Sequence, residues 1–193
     1  MIASIWLRLS DEQEASLWAL IERLAVAHGT MPFQPHLTVC SPRSEGSWDI
    51  AEGYVRSCKV LPLRVGKKRI SFSTTAPMRA VTIDVEDVPD LRIFREDLRQ
   101  ITGAAEPPPP HISLLYAVNE AGRQPSWSSD ESILRSIAEE CGRILDEREF
   151  VLDRPVIVAP DGEWTNIQSW QVVRTLSQQV IPPPSPSSPG LTR

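Results

Sequence analysis

The chain has 193 residues, with 20 basic and 25 acidic side chains and a net charge of -5. That length is one ordinary domain or two small lobes sharing a core, enough to fold without disulfide or metal staples. Hydrophobic residues at 41% and charged residues at 23% exclude a fibrous or largely disordered chain, and the acidic balance argues against a coat for long nucleic acid while leaving room for a local basic pocket.

No apolar run approaches the roughly 18 residues of a membrane-spanning helix. The N-terminus alternates like a strand and lacks the basic start and apolar core of a signal peptide. Cys40, Cys58 and Cys141 are odd in number and lack CxxC spacing, which favours a reducing compartment. A cytoplasmic or nuclear location is therefore expected, with no membrane partner.

A first strand is predicted over Ile2 to Leu9. Ser10-Asp11-Glu12-Gln13 reads as a capping box, with Ser10 as N-cap and Gln13 reaching back. Leu17, Leu20, Ile21 and Leu24 then recur at helical spacing until Gly29 stops the helix. His36 to Cys40 reads as a strand and Trp48 to Cys58 as a weaker helix. Two extended runs follow, Leu61 to Phe72 and Met78 to Val85, with a turn at Thr74 to Pro77. A helix starts near Asp87-Val88-Pro89, carries Leu91, Phe94, Leu98 and Ile101 on one face, and stops at Gly103. Pro107 to Pro110 lead into a strand from His111 to Val118. Another helix follows Ser128-Ser129-Asp130-Glu131. Strands over Glu149 to Val158 and Ile167 to Thr175 close the core. Strands outnumber helices and rarely alternate with them, so the fold class is α+β with antiparallel sheets. The core is expected to span residues 1-180. The end, IPPPSPSSPGLTR, has little to bury and reads as a disordered tail over 181-193.

One unit occurs twice. A helix, its glycine stop and a loop precede Pro35-His36-Leu37-Thr38-Val39, and the same order precedes Pro110-His111-Ile112-Ser113-Leu114. Each histidine follows its glycine by seven or eight residues. Such a repeat predicts two related lobes, each presenting one short strand. Residues i and i+2 of a strand share a face, so His36 sits beside Thr38 and His111 beside Ser113, with Cα atoms about 6.6 Å apart. If the lobes face each other, two imidazoles and two hydroxyls converge.

That set suits an anionic phosphodiester. With an ordinary pKa near 6.5, one imidazole can be neutral while its partner is protonated. One then removes a proton from a nucleophile and the other protonates the departing oxygen. The hydroxyls donate to the non-bridging oxygens. The scheme requires no metal or cofactor. A zinc site fits poorly, because only His28 and Cys40 lie near His36 and zinc takes three or four protein ligands.

These paired His-x-Thr and His-x-Ser motifs resemble those of the two-histidine (2H) phosphoesterase superfamily, over roughly Ile2 to Gln178. The strings Phe33-Gln34-Pro35-His36-Leu37-Thr38 and His111-Ile112-Ser113-Leu114-Leu115-Tyr116 are most similar to the cyclic phosphodiesterase branch of plants and fungi. The resemblance implies a bilobal fold with a cleft between two antiparallel sheets and helices outside. It implies His36 and His111 as the catalytic pair, Thr38 and Ser113 as phosphate-binding, and Tyr116 as lining the ligand site. It also implies opening of 2′,3′-cyclic nucleotides to 2′-phosphates, and of ADP-ribose 1″,2″-cyclic phosphate, a by-product of tRNA splicing, to ADP-ribose 1″-phosphate. Which histidine is base and which acid stays open.

Other residues admit two readings. Arg64, Lys67, Lys68 and Arg69 form the densest basic run, either a solvated strand edge or an attractor of anionic substrate. Phe72 could stack on a base or join the core. Trp6, Trp18 and Trp48 are expected in the core, while Trp164 and Trp170 are candidates to stack on a nucleobase. His28 is expected to interact with the dipole of the helix it ends. A monomer acting on a small cyclic-phosphate nucleotide is the first reading. An RNA-end processing relative, 2′-5′ RNA ligase-like or a 3′-end phosphodiesterase, is the alternative, and a nucleotide-binding module without catalysis is the third.

Overall fold

The computed structural model describes residues 3–42, 44–162 and 166–176. Trp164 and the proposed tail over 181-193 lie outside them. In chain order the elements are β1 (Ser4–Leu9), α1 (Asp11–His28), β2 (His36–Cys40), α2 (Gly46–Ser57), β3 (Leu63–Phe72), β4 (Val81–Val85), α3 (Pro89–Thr102), β5 (His111–Leu115), α4 (Glu131–Ile144), β6 (Glu149–Pro160) and β7 (Trp170–Thr175), with short 3-10 turns at Pro77–Arg79, Ser126–Ser129 and Ile167–Ser169. The class is α+β, as expected. No described helix is long and apolar enough to cross a membrane.

Local sequence explains the ends of the helices. Acidic residues crowd the first turn of α1, and Pro89 opens α3 where its missing N–H costs nothing. Gly29 and Gly103, after α1 and α3, both sit at φ 64° in the left-handed region that only glycine enters freely. The two repeats thus end their helices identically. Asp130 caps α4 by accepting from the Ser132 and Ile133 amides. The capping box at Ser10 does not form. Gln13 instead donates to the Glu149 carbonyl at 2.7 Å and accepts from the Val151 amide at 2.8 Å. Its amide satisfies backbone at the start of β6 and ties α1 to the sheet; the Ser10 hydroxyl donates to the Gln13 Oε1 at 3.4 Å rather than accepting from a helix amide.

Every strand pairing is antiparallel, in the order β1-β2-β5-β4-β3-β6-β7, and β1 also pairs with β6. The pairings therefore close a circuit. One half holds β1, β2 and β7, the other β3, β4 and β5. The long strand β6 joins them, pairing with β3 at its start and with β1 and β7 further along. Between β2 and β5 the join is a single pair, Leu37 opposite Ile112. Both side chains are fully buried in the core.

The helices cover the outer face. Packing is exchanged between the repeats: α1 lies against β5 as well as β1, while α3 lies against β2. Leu17, Leu20, Ile21 and Leu24 from α1 and Leu91, Phe94 and Leu98 from α3 join the strand residues Ile5, Leu7, Leu37, Ile83 and Leu114 in one core. Alternation along the strands then leaves Trp6, His36, Thr38, His111 and Ser113 on the inner face. Trp6 is buried, as expected, but on that inner face, in a small second cluster with Val156 and Val158.

Because Leu37 closes the seam, Leu37→Ala is expected to destabilise the fold by about 2–5 kcal/mol, the usual cost of a buried leucine cavity. Urea unfolding measures it, and a loss below about 1 kcal/mol would contradict the seam's role.

Candidate active site

The register at Leu37 and Ile112 decides what the inner face presents. Continued antiparallel by one residue, it sets His36 across from Ser113 and Thr38 across from His111. The four motif side chains do line one cavity of about 370 Å3, with Ser4, Trp6, Ser41, Met78, Arg79, Pro108, Tyr116 and Trp170. Cys40 is not among them. A bulge at Val39, where pairing steps from Trp6 opposite Thr38 to Ile5 opposite Cys40, turns Cys40 into the core beside Thr102. Strict alternation at i, i+2 and i+4 from His36 would have kept Cys40 on the His36 face; the bulge turns it away.

The two imidazoles are held alike. His36 Nδ1 lies 2.6 Å from the Gln34 carbonyl, and His111 Nδ1 lies 2.8 Å from the Pro109 carbonyl, two residues back in each case. A carbonyl only accepts, so each Nδ1 carries the proton and each Nε2 is left with its lone pair. The proline run supplies carbonyls without competing amides. Successive oxygens of Pro108, Pro109 and Pro110 take donors from Arg95, His111 and the Val85 amide.

Environment separates the pair. His36 is 5% exposed and stacks on Trp6, with ring centroids 3.5 Å apart and planes within 8°. Burial pushes its pKa down to about 3, opposed by the Gln34 hydrogen bond and helped by the nearby His111 and Arg8. His111 is half-buried. Burial lowers its pKa too, with Arg79 and Arg95 acting the same way, but its Pro109 hydrogen bond and the Asp84 carboxylate favour the charged form. Asp84 sits directly across the β4–β5 ladder from His111. Its carboxyl is held below the usual range: hydrogen bonds from Ser71, Arg69 and Thr82 outweigh the opposing effect of burial, which is the largest single contribution.

Hydroxyls and rings complete the wall. Thr38 Oγ1 has no protein partner among the described residues. Ser113 Oγ donates to the Met78 carbonyl at 3.3 Å. Tyr116 is buried, stacks on Phe33 with centroids 3.6 Å apart, and meets Trp170 edge-on. Burial raises its pKa, so it remains a neutral phenol. Trp170 also meets Trp6 edge-on.

One core expectation changes, at Trp18. Trp18 is half-buried and lines a second, aromatic slot of about 180 Å3 with Trp6, Phe33, Gln34 and Trp170. Phe72 is absent from the histidine cavity. It lies in an adjoining cleft, under the Arg135 guanidinium at 5.2 Å. His28 occupies the last turn of α1, as expected; burial lowers its pKa, and its ring packs near Trp127 with ring centroids 5.5 Å apart. The basic run splits. Arg64 pairs with Glu149 and Lys67 donates to the Leu145 carbonyl, while Lys68 and Arg69 line the adjoining cleft. A bulge between Lys67 and Arg69 turns them. Arg79 lines the histidine cavity, and nothing in the sequence near it marked it. Among the described residues, no group of three or more His, Cys, Asp or Glu is placed to hold a metal ion.

No protein-family model and no curated protein matches the sequence. Solved structures do match the fold. E. coli LigT complexed with NADP+ superposes with a TM-score of 0.56 at 12% identity, over 91% of this chain and 97% of that one. A structure described as a phosphoesterase gives 0.54 at 12% identity, covering 91% and 98%. E. coli LigT complexed with phosphate gives 0.53 at 13%, covering 90% and 94%. The chain therefore shares the fold of these proteins.

His36 should remain neutral, with its proton on Nδ1, throughout pH 5–8. The unfolded chain binds this proton below its ordinary pKa of 6.5, and the folded chain only near 3. Stability must therefore fall as pH drops between those values. Nitrogen-15 NMR of the imidazoles checks this, and a His36 titration near 6.5 would contradict it.

Proposed function

We propose that the protein hydrolyses cyclic phosphodiesters of nucleotides with its two histidines as general base and general acid. The observation that carries the reading is the paired geometry: two imidazoles with free Nε2 atoms and two motif hydroxyls share one cavity. The same fold in E. coli LigT accommodates phosphate and NADP+, which supports a nucleotide phosphate as ligand.

In this reading Thr38 donates to one non-bridging oxygen of a 2′,3′-cyclic phosphate, Ser113 turns its proton from the Met78 carbonyl to the other, and Arg79 adds positive charge. His36, neutral and desolvated, takes a proton from water on Nε2 as the water oxygen bonds to phosphorus. The bond from phosphorus to the 3′-oxygen breaks, and protonated His111 delivers its proton to that oxygen. The product is a 2′-phosphate. His111 is assigned the acid because Asp84 favours its charged form and no acidic group does so for His36. Trp170, half-buried and backed edge-on by Trp6 and Tyr116, offers a face for the base. ADP-ribose 1″,2″-cyclic phosphate would open by the same steps to ADP-ribose 1″-phosphate. An RNA end bearing a cyclic phosphate is the second reading, favoured by the cleft that continues beyond His111.

His36→Ala and His111→Ala should each lower kcat/KM for 2′,3′-cyclic AMP by about 10²–10⁴-fold, with wild-type activity persisting in chelator. Steady-state kinetics decide it, and activity that requires added metal would overturn it. The profile of kcat/KM against pH should be bell-shaped with its maximum below 6.5, because both histidine pKa values are lowered. The falling limb should move in Asp84→Asn. A maximum above pH 7.5 would contradict the assignment.

A further inference from the structure

The inner face does not end at the histidines. The β4–β5 and β3–β4 registers place His111, Asp84 and Arg69 in one row, and Ser113, Thr82 and Ser71 in the next. At about 4.8 Å per strand, these rows carry polar side chains about 10 Å beyond the histidine strand. They floor a cleft of about 800 Å3, which shares His111, Arg79 and Pro108 with the catalytic cavity. A group bound to the first cavity can therefore continue into the second.

The cleft's charges are unevenly matched. Asp84 is already engaged by Arg69. Lys68 and Arg79, both exposed, have no ion-pair or hydrogen-bond partner among the described residues. Arg95 is 9% exposed, and its Nε is buried without a hydrogen-bond partner. One terminal nitrogen of its guanidinium donates to the Pro108 carbonyl, and a carbonyl brings no countercharge. Asp87 also lines the cleft and favours the Arg95 charge from a distance; one of its carboxylate oxygens is engaged by Arg92, and the other is buried without a hydrogen-bond partner. A buried guanidinium so poorly compensated is costly unless an anion joins it. Glu106 also lines the cleft, toward the proline side.

We infer that this cleft is a subsite for a second phosphate group of the substrate, held by Lys68, Arg79 and Arg95. The inference rests on the phosphodiesterase reading for its first phosphate. The second is the 5′-phosphate of a mononucleotide or the internucleotide phosphate of an RNA end, two sources of one chemistry. Arg95 and Lys68 supply charge-assisted donors, and Arg79 stands between the two phosphates. Phe72, with Arg135 over its ring, bounds the cleft on β3 and offers an apolar wall.

The test compares three substrates: adenosine 2′,3′-cyclic phosphate, the same compound carrying a 5′-phosphate, and a diadenylate ending in a 2′,3′-cyclic phosphate. For the wild type, at least one second phosphate should raise kcat/KM by about tenfold or more, the worth of one charge-assisted hydrogen bond. The substrate showing the gain identifies the source. Lys68→Ala and Arg95→Met should shrink that gain to about two- to threefold. The exposed Lys68 keeps the test valid if Arg95→Met fails to fold. Equal rates on all three substrates, or a gain unchanged in Lys68→Ala, would overturn the inference. If none of the three turns over, the phosphodiesterase reading fails separately. Calorimetric titration with inorganic pyrophosphate then decides the subsite: binding weakened in Lys68→Ala supports it, and no binding to the wild type overturns it.

Discussion

Where β2 meets β5 the backbone forms one ladder pair, Leu37 with Ile112, and the two histidines and two hydroxyls of the proposed site take their placement from that contact. Both side chains point into the core, where α1 and α3 pack across the repeat boundary. Their neighbours in sequence must then point the other way, which delivers two histidines and two hydroxyls to the inner face. A shift of one residue would send all four into the apolar core. The apolar residues between the motif positions thus fix the polar ones.

The histidines take their chemical character from desolvation and carbonyl anchoring. Burial against Trp6 keeps His36 neutral, and the Gln34 carbonyl decides which nitrogen is free. The second histidine has the same anchor but a carboxylate across the ladder, so two copies of one motif acquire different proton affinities. The four prolines matter through what they lack. Without amides to satisfy, the run offers carbonyls to Arg95, His111 and β4, which fastens the entry to β5 between the histidine cavity and the basic cleft.

Much of the fold was legible from periodicity and punctuation. The glycine stops at Gly29 and Gly103, the apolar stripes of α1 and α3, and the β3–β4 hairpin lie where the sequence placed them. The convergence of His36, Thr38, His111 and Ser113 followed from their spacing and repetition. What escaped depends on contacts distant in sequence. Gln13 bonds to β6, over 130 residues away, which no capping pattern could show. The Val39 bulge that turns Cys40 inward, and the one that turns Lys68 and Arg69 into the cleft, reflect pairing register rather than composition. Trp6 read as core because a tryptophan in an alternating strand usually is; its partner on the inner face is an imidazole. Arg79 had no signal, since it follows a turn and reaches the site only through the fold.

Product analysis tests the central claim most directly. Incubation with 2′,3′-cyclic AMP in chelator and 18O-water, followed by phosphorus NMR, reports both the bond broken and the origin of the new oxygen. The account predicts adenosine 2′-phosphate as the single product, carrying one solvent oxygen. A 3′-phosphate, a mixture of both isomers, or no turnover without metal would contradict it.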